Sequence, residues 1–430
     1  EEKKKVLKLL EALVNESANG QFINPIKKSL AEEKDALKTD VLTAARKALR
    51  FVAQEQSESI TALKNWVNSY ISKEQSNYSS HLYNEFDHKA TQVPMVEAQY
   101  DNEASNVDAR IVLRDNFDAL FTKYPESLVF GEDTGTIGDV NQGLEGLQKK
   151  YGKNRVFDTG IRESTIVGQA IGMALRGLKP IAEIQYLDYI LYALQILSDD
   201  LATMSYRTHG RQIAPIIVRT RGHRLEGIWH AGSPLGGLIN FLRGIFILTP
   251  RNMTKAAGFY NSLMKLDQPA IVIEPLNGYR TKEIMPSNLG KYETPIGEVD
   301  IIKEGKDLTV ISYGSTLNIV EEVGQKLLDY EIDCEIIDLQ SLIPFDISNR
   351  IKESVEKTNR ILICHEETKT SGFAGEIAAR INEELFESLD APILRVAAKD
   401  SHVAYCPQLE DDILPQVQDV VQTLKKLLAY

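Results

Sequence analysis

The chain has 430 residues, 43% of them hydrophobic, and a formal net charge of -12; that is room for two domains plus an extra segment, with enough apolar side chains to fill real cores. An acidic balance argues against a nucleic-acid-coating surface or binding to an anionic membrane, because phosphate recognition needs clustered Lys and Arg. The three scattered cysteines, Cys334, Cys364 and Cys406, fit neither a disulfide framework nor a CxxC knuckle, so a reduced, cytoplasmic setting is expected.

In chain order, "EEKKKVLKLLEALVNES" and "LAEEKDALKTDVLTAARKALRFVAQEQSESITALKNWVNSYI" place apolar residues at helical spacing with charged outer faces, which predicts amphipathic helices. The charged start has no signal-peptide layout, and no apolar run approaches the ~20 residues that span a bilayer. A start without Met, inside a helical pattern, suggests a piece of a longer polypeptide. "SKEQSNYSSHLYNEFDHKATQVPMVEAQYDNEASN" then loses periodicity, as a linker or surface-hugging strap would, and a boundary is expected near residue 105.

From Val107 onward strands and helices alternate. "VDARIVLRDNFDALFTKY" reads as a helix and "SLVFGED" as a strand. "RVFDTGIRESTIVGQAIGMALRG" reads as a strand end turning into a helix, whose recurrent small residues would let it lie close against a sheet. "KPIAEIQYLD" reads as a strand, "YILYALQILSDDLATMSY" as one helix, and "IAPIIVRT", "IFILTP" and "PAIVIEP" as strands. A second series runs through "DLTVISYG", "CEIIDLQ", "RILICHE" and "ILRVAA" and closes with the helix "LPQVQDVVQTLKKLLAY". Near-continuous apolar strands indicate burial on both faces, so the fold class is α/β: two parallel-sheet domains, 106–293 and 294–430, preceded by a helical segment.

Open sheets of this kind bind ligands at the carboxyl ends of their strands. The loops there gather Glu132, Asp133, Glu163, Tyr189, His223 and His230. No GxxxxGK[ST], GxGxxG, HExxH or GxSxG signature is present, and "HEETK" at His365 reads as a strand-end polar cluster rather than a metal site. Taken alone, Glu163 is a first-turn helix acid favoured by the helix dipole, His230 a loop histidine and Tyr189 a core residue.

Read together, the motifs say more. "VFGEDTGTIGDVNQGLEGLQKKYGKNRVFDTGIRESTIVGQAIGMALRGLKPIAEIQYLDY", "APIIVRT", "HAGSP", "TPRN", "IIDLQSLIPFD" and "HEETKTSGFAGEIAARI" resemble, nearly end to end, the beta subunit of the thiamine-diphosphate-dependent 2-oxo acid dehydrogenases, the decarboxylating component of the pyruvate and branched-chain complexes. The resemblance implies a transketolase-like fold, with a pyrimidine-binding domain followed by a transketolase C-terminal domain that serves mainly pairing and assembly. It also implies that Glu163 hydrogen-bonds a ring nitrogen of the cofactor's aminopyrimidine and triggers catalysis. Tyr189 would stack on that ring, Glu132 would help order the pyrimidine half of the site, and His230, with His223 as its rival, would steer acyl transfer. A carboxyl at the strand-to-helix mouth, flanked by Ile161 and Ile166, can be partly desolvated, which suits a proton shared with a ring nitrogen. Arg162 is expected to point away from it.

Three positions depart from the family pattern. Gly160-Ile161-Arg162 stands where the family has Pro-Ile-Ser, Gly138-Asp139 where it has paired glycines, and Leu194 where it has Asp. The family's Gly-Asp-Gly segment, which holds Mg²⁺ and the diphosphate on the alpha subunit, is absent, so this chain is expected to hold half a site. "NPIKKSLAEEKDALKTDVLTAARKALRFV" looks loosely like the last helices of an alpha subunit, which suggests an alpha-beta fusion. The partners implied are an alpha subunit or domain, a lipoyl domain, and a homodimeric or alpha2beta2-like assembly. The substrate implied is a small 2-oxo acid, pyruvate or a branched-chain acid such as 2-oxoisovalerate. Two other readings are a different thiamine diphosphate enzyme, of transketolase or deoxyxylulose-phosphate synthase type, and a non-catalytic assembly subunit, which would predict loss of Glu163 or Tyr189.

Overall fold

A computed structural model describes residues 1–86, 88–90, 93–222 and 233–430. The chain folds as two compact units, Glu1–Ser80 and His81–Tyr430.

The first unit consists of helices α1 (Glu2–Glu16), α2 (Gly20–Glu32), α3 (Lys38–Phe51) and α4 (Glu58–Gln75). Val6, Leu10 and Leu13 of α1 recur at spacings of four and three and are all buried, the stripe that an amphipathic helix turns toward its neighbours. They pack in one core with Ile23, Ala45, Leu63 and Trp66. Helix α4 starts where the Ser57 hydroxyl accepts from the Ile60 amide at 3.3 Å, an N-cap that satisfies one of the orphan donors of the first turn.

The second unit opens with β1 (Asn106–Asp108), α5 (Ala109–Lys123), β2 (Ser127–Gly131), α6 (Leu147–Tyr151), β3 (Val156–Asp158), α7 (Glu163–Ala174) and β4 (Lys179–Glu183). There follow α8 (Met204–Thr208), β5 (Ile217–Gly222), α9 (Leu235–Phe241), β6 (Phe246–Leu248), α10 (Met253–Leu263), β7 (Ala270–Pro275) and β8 (Lys282–Ile284). The remainder is β9 (Asp300–Lys303), β10 (Leu308–Ser312), α11 (Leu317–Leu328), β11 (Cys334–Asp338), β12 (Ser341–Ile343), α12 (Arg350–Thr358), β13 (Ile361–Thr368), α13 (Ala374–Leu385), β14 (Leu394–Ala398), α14 (Pro407–Ile413) and α15 (Val417–Leu427).

Among the described residues, one sheet has the order β12-β6-β7-β5-β4-β2-β3 and a second β14-β13-β10-β11-β9. Within these two sheets pairing is parallel except for β12 on β6 and β9 on β11, and β1 pairs β8 antiparallel as a separate two-stranded ribbon. Every residue of β2, β5 and β7 is buried, as expected of parallel strands covered on both faces. The two sheets share a seam. Strand β12 follows β11 of the second sheet but pairs with the edge of the first, Ser341 opposite Leu248 and Ile343 opposite Ile247. Just beyond β6, Arg251 bonds Asp300 at 2.8 Å and Asp338 at 2.9 Å, and Lys255 reaches Asp300 at 2.8 Å.

Residues 93–105 run as a strap along 284–293. Val96 and Glu293 form an antiparallel bridge, Gln99 N donates to Asn288 Oδ1 at 2.9 Å, and Met285 N donates to the Ser105 carbonyl at 2.9 Å.

Two local expectations change. The segment expected as one helix over 189–206 is a 3-10 stretch over Leu187–Ala193, a π-helix over Ile196–Leu201 and then α8. Its buried residues explain the change: Leu187, Ile190 and Ala193 recur every three residues, the 3-10 period, before Leu197 and Leu201 follow at spacings of four. In α7, the face against the sheet is built from Ile166, Val167, Ala170, Ile171 and Ala174, whereas Gly168 and Gly172 are exposed and a Cβ on either would meet no atom within 4 Å. These glycines therefore do not bring α7 close to its own sheet.

Candidate active site

The carboxyl ends of β2, β3, β4 and β5 point to one edge of the first sheet, and the loops leaving them bring three of the expected residues together. Glu163 is the first residue of α7 and is 6% exposed. Its neighbour Arg162 caps the helix in an extended conformation and is exposed, as expected. Ile161 is 82% exposed, so it does not flank the carboxyl within this chain; buried Ile166 lies one turn on.

Glu132 follows β2 and is buried. Burial, first, and then the charges of Glu163 and Asp133 raise its pKa above the usual carboxylate range, which also places Glu163 within electrostatic reach of it. Tyr189 lies half-buried on the 3-10 stretch. Burial, first, and then nearby acids that include Glu132 and Glu163 push its hydroxyl pKa up. Its ring meets Tyr186 edge-on at 5.5 Å. Two carboxyls and an aromatic face thus converge in a partly dry site. His223 and His230 lie outside the described residues. Ser233 and Pro234, which follow that segment, line a cavity of about 230 Å³ with Asp188, Leu191, Glu366, Glu367 and His402.

Beneath the loops is a cluster of charge that the sequence did not single out. Arg219 and Arg221 on β5, Glu183 on β4, Glu274 on β7 and Asp139 from the β2 loop are all fully buried. Arg219 bonds Asp139 at 2.7 Å, holds Glu274 through a two-pronged contact at 2.9 and 3.0 Å, and also bonds Glu183. Arg221 reaches Asp139 Oδ1 and Glu183 Oε1, each at 3.1 Å, and the Tyr279 hydroxyl at 2.9 Å. Burial raises Glu183 despite both guanidiniums, while the same two cations outweigh burial at Asp139 and hold it low. The cluster thus sets three carboxyls against two cations, with the cost of burial falling most heavily on Glu183. The available signal was a charged residue near the carboxyl end of each apolar strand: "IIVRTRG", "IAEIQ" and "IVIEP".

The β2 loop is shaped for close approach. At Gly131 a Cβ would lie 2.5 Å from the Glu183 carbonyl. Gly138 and Asp139 both occupy the left-handed region, at φ 79° and 67°, which Gly and Asp tolerate best.

A model of the transketolase pyrimidine binding domain matches residues 105–282, and a model of the transketolase C-terminal domain matches residues 297–420. The pyruvate dehydrogenase E1 component subunit beta of Bacillus subtilis is 36% identical over 319 residues, which cover 73% of this chain and 97% of that protein. The mitochondrial 2-oxoisovalerate dehydrogenase subunit beta of Dictyostelium discoideum is 34% identical over 344 residues, 78% of this chain and 90% of that one. The chain belongs to the E1 beta-subunit family of the 2-oxo acid dehydrogenases.

Among solved structures, a split-gene transketolase described as an inactive beta4 tetramer superposes with a TM-score of 0.62 at 19% identity, covering 75% of this chain and 99% of that one. That likeness establishes the transketolase-like architecture of the E1 beta fold. No group of three or more His, Cys, Asp or Glu side chains among the described residues is arranged to hold a metal ion, and no helix among them is long and apolar enough to cross a membrane.

Proposed function

We propose that this chain supplies the pyrimidine-facing half of a thiamine diphosphate site in a 2-oxo acid dehydrogenase that decarboxylates pyruvate or 2-oxoisovalerate and passes the acyl unit to a lipoyl domain. The observation that carries the reading is the buried Glu163 carboxyl, held at a helix start within the field of Glu132 and Tyr189. These residues fit an aminopyrimidine: a carboxyl for a ring nitrogen, a flat aromatic face, and a site dry enough for a shared proton to be held. When bound, thiamine diphosphate supplies the electron sink that decarboxylation of a 2-oxo acid requires.

The chain's own residues position and protonate. Glu163 holds a proton at the ring nitrogen. Glu132, whose pKa burial and the neighbouring Glu163 and Asp133 raise, sets a less readily ionised carboxyl beside Glu163 and helps order the pyrimidine half of the site. Tyr189 covers the ring and excludes water. His230, with His223 as the rival, is assigned to the acyl-transfer side of the site on the family resemblance. The diphosphate and Mg²⁺ are assigned to an alpha subunit or alpha domain, because the chain has no Gly-Asp-Gly segment. The assembly is a homodimer or an alpha2beta2-like complex.

The test is to co-express the chain with its alpha partner and follow carbon dioxide release from pyruvate and 2-oxoisovalerate. Glu163→Gln should lower kcat by ~10²-fold or more, the usual range for a positioned proton-transfer group. Near-normal turnover of that variant overturns the proposal. Calorimetry on this chain alone should show only weak cofactor binding, and micromolar affinity would refute the division of the site between two polypeptides.

A further inference from the structure

We propose that Asp139 and Arg221 form a clamp that positions the pyrimidine pocket, one guanidinium fixing both the loop that bears Glu132 and the loop that bears Tyr189. The inference rests on the functional reading above, which gives those two loops the ring to hold.

Arg221 is the next-to-last residue of β5, in the middle of the sheet. Its Nη2 contacts Asp139 Oδ1 at 3.1 Å, and its Nη1 donates to the Gln185 carbonyl at 3.1 Å. Asp139 in turn accepts from the Asn141 amide at 2.6 Å and the Gly143 amide at 3.1 Å, and its own amide donates to the Asp133 carbonyl at 2.7 Å. The β2 loop is therefore wrapped around a single carboxylate, and that carboxylate is fastened to β5 by Arg221 and, through Oδ2 at 2.7 Å, by Arg219. The β4 loop, four residues before Tyr189, is fastened to the Arg221 guanidinium. A second tie joins the two loops directly, Gln185 Nε2 to Asp133 Oδ2 at 2.9 Å.

Stability does not explain why such a pair is kept. Replacing a fully buried ion pair by apolar residues is often neutral or stabilising, because desolvation cancels most of the attraction. An apolar pair could not, however, hold two amides of one loop and a carbonyl of another in fixed register. Asp139 also stands where the family resemblance calls for the second of two glycines. A glycine would supply the left-handed backbone but neither of the carboxylate's two loop bonds. The clamp is thus an addition to a turn whose shape does not itself require it, and its role is geometric.

The experiment uses the full chain with its alpha partner, as the parent and as the double variant Asp139→Gly/Arg221→Met. Two measurements are made: half-saturation by thiamine diphosphate together with kcat at saturating cofactor, and amide hydrogen exchange of residues 132–146 and 184–189 without cofactor. The double variant should fold, exchange the Asn141 and Gly143 amides about tenfold faster or more, and need about tenfold more cofactor for half-saturation, with kcat at saturation within about threefold of the parent. A role confined to charge balance would leave both loop exchange and half-saturation unmoved. Unchanged loop exchange overturns the clamp, as does an unchanged half-saturation in a parent that depends on the cofactor. Failure of the double variant to fold also overturns it, since the clamp is assigned no net stabilising role. Faster loop exchange alongside a parent that shows no dependence on thiamine diphosphate sinks the functional reading and leaves the clamp standing.

Discussion

Glu367 should make this protein lose stability as the pH rises through neutrality. The side chain lies on β13 and is 3% exposed. It accepts from the Phe373 amide at 2.7 Å and from the Tyr313 hydroxyl at 2.5 Å. Burial, opposed by these two donors, pushes its pKa from 4.5 up to about 7. The folded chain therefore holds a proton that the unfolded chain has already released, and folding takes one up between those limits. The contribution to stability is fully present below 4.5 and is lost as the pH rises through 7. At ~1.36 kcal/mol per pH unit, the interval amounts to about 3 kcal/mol. Glu367→Gln keeps an acceptor for Tyr313 and cannot ionise. Urea unfolding of the parent and the variant at intervals from pH 4.5 to 8.5 should give free energies that diverge by about 3 kcal/mol toward high pH, with the parent falling. Parallel curves would refute the reasoning.

Other expectations concern packing and buried polar groups. Asn116 and Asn261 exchange side-chain amide bonds at 2.9 and 3.1 Å, and Asn116 Oδ1 also accepts from the Gly290 amide at 2.8 Å. Asn116→Leu strands those donors and should cost about 2–4 kcal/mol in chemical denaturation; an unchanged midpoint would show that the network carries nothing. At Gly258 an added methyl would lie 2.2 Å from Thr294 Oγ1 and 3.1 Å from Thr294 N. Gly258→Ala should therefore overpack the site and lower stability by about 1–3 kcal/mol, and a gain in thermal midpoint would contradict this. Leu10→Ala empties the helical unit's core and should cost about 2–5 kcal/mol there. It should leave exchange protection in β2, β5 and β7 as in the parent, which residue-resolved exchange can check.

Much of the fold was legible because its strands announce themselves. "SLVFG" and "AIVIEP" are unbroken runs of the kind that only two-sided burial demands, and each is a fully buried parallel strand. The strands β1, β8, β9 and β12 have three or four residues each and lack the fully apolar run that marks an equally short strand such as Phe246–Leu248 or are broken by a following Pro, so none was foreseen. Glu132, Glu163 and Tyr189 emerged as candidates from motif resemblance and strand-end placement, while local pattern alone favoured ordinary structural roles for Glu163 and Tyr189. The charged layer beneath them stayed hidden because a strand-end Arg or Glu ordinarily reads as solvated, and only the three-dimensional meeting of β4, β5, β7 and the β2 loop makes its burial affordable.

The exchange of β12 across the seam constrains how this molecule can breathe. Parting the second sheet from the first would mean unzipping a backbone ladder at the β6 edge and tearing Arg251 from two aspartates at once. A clamshell movement between the two sheets is therefore opposed by the stitch that joins them.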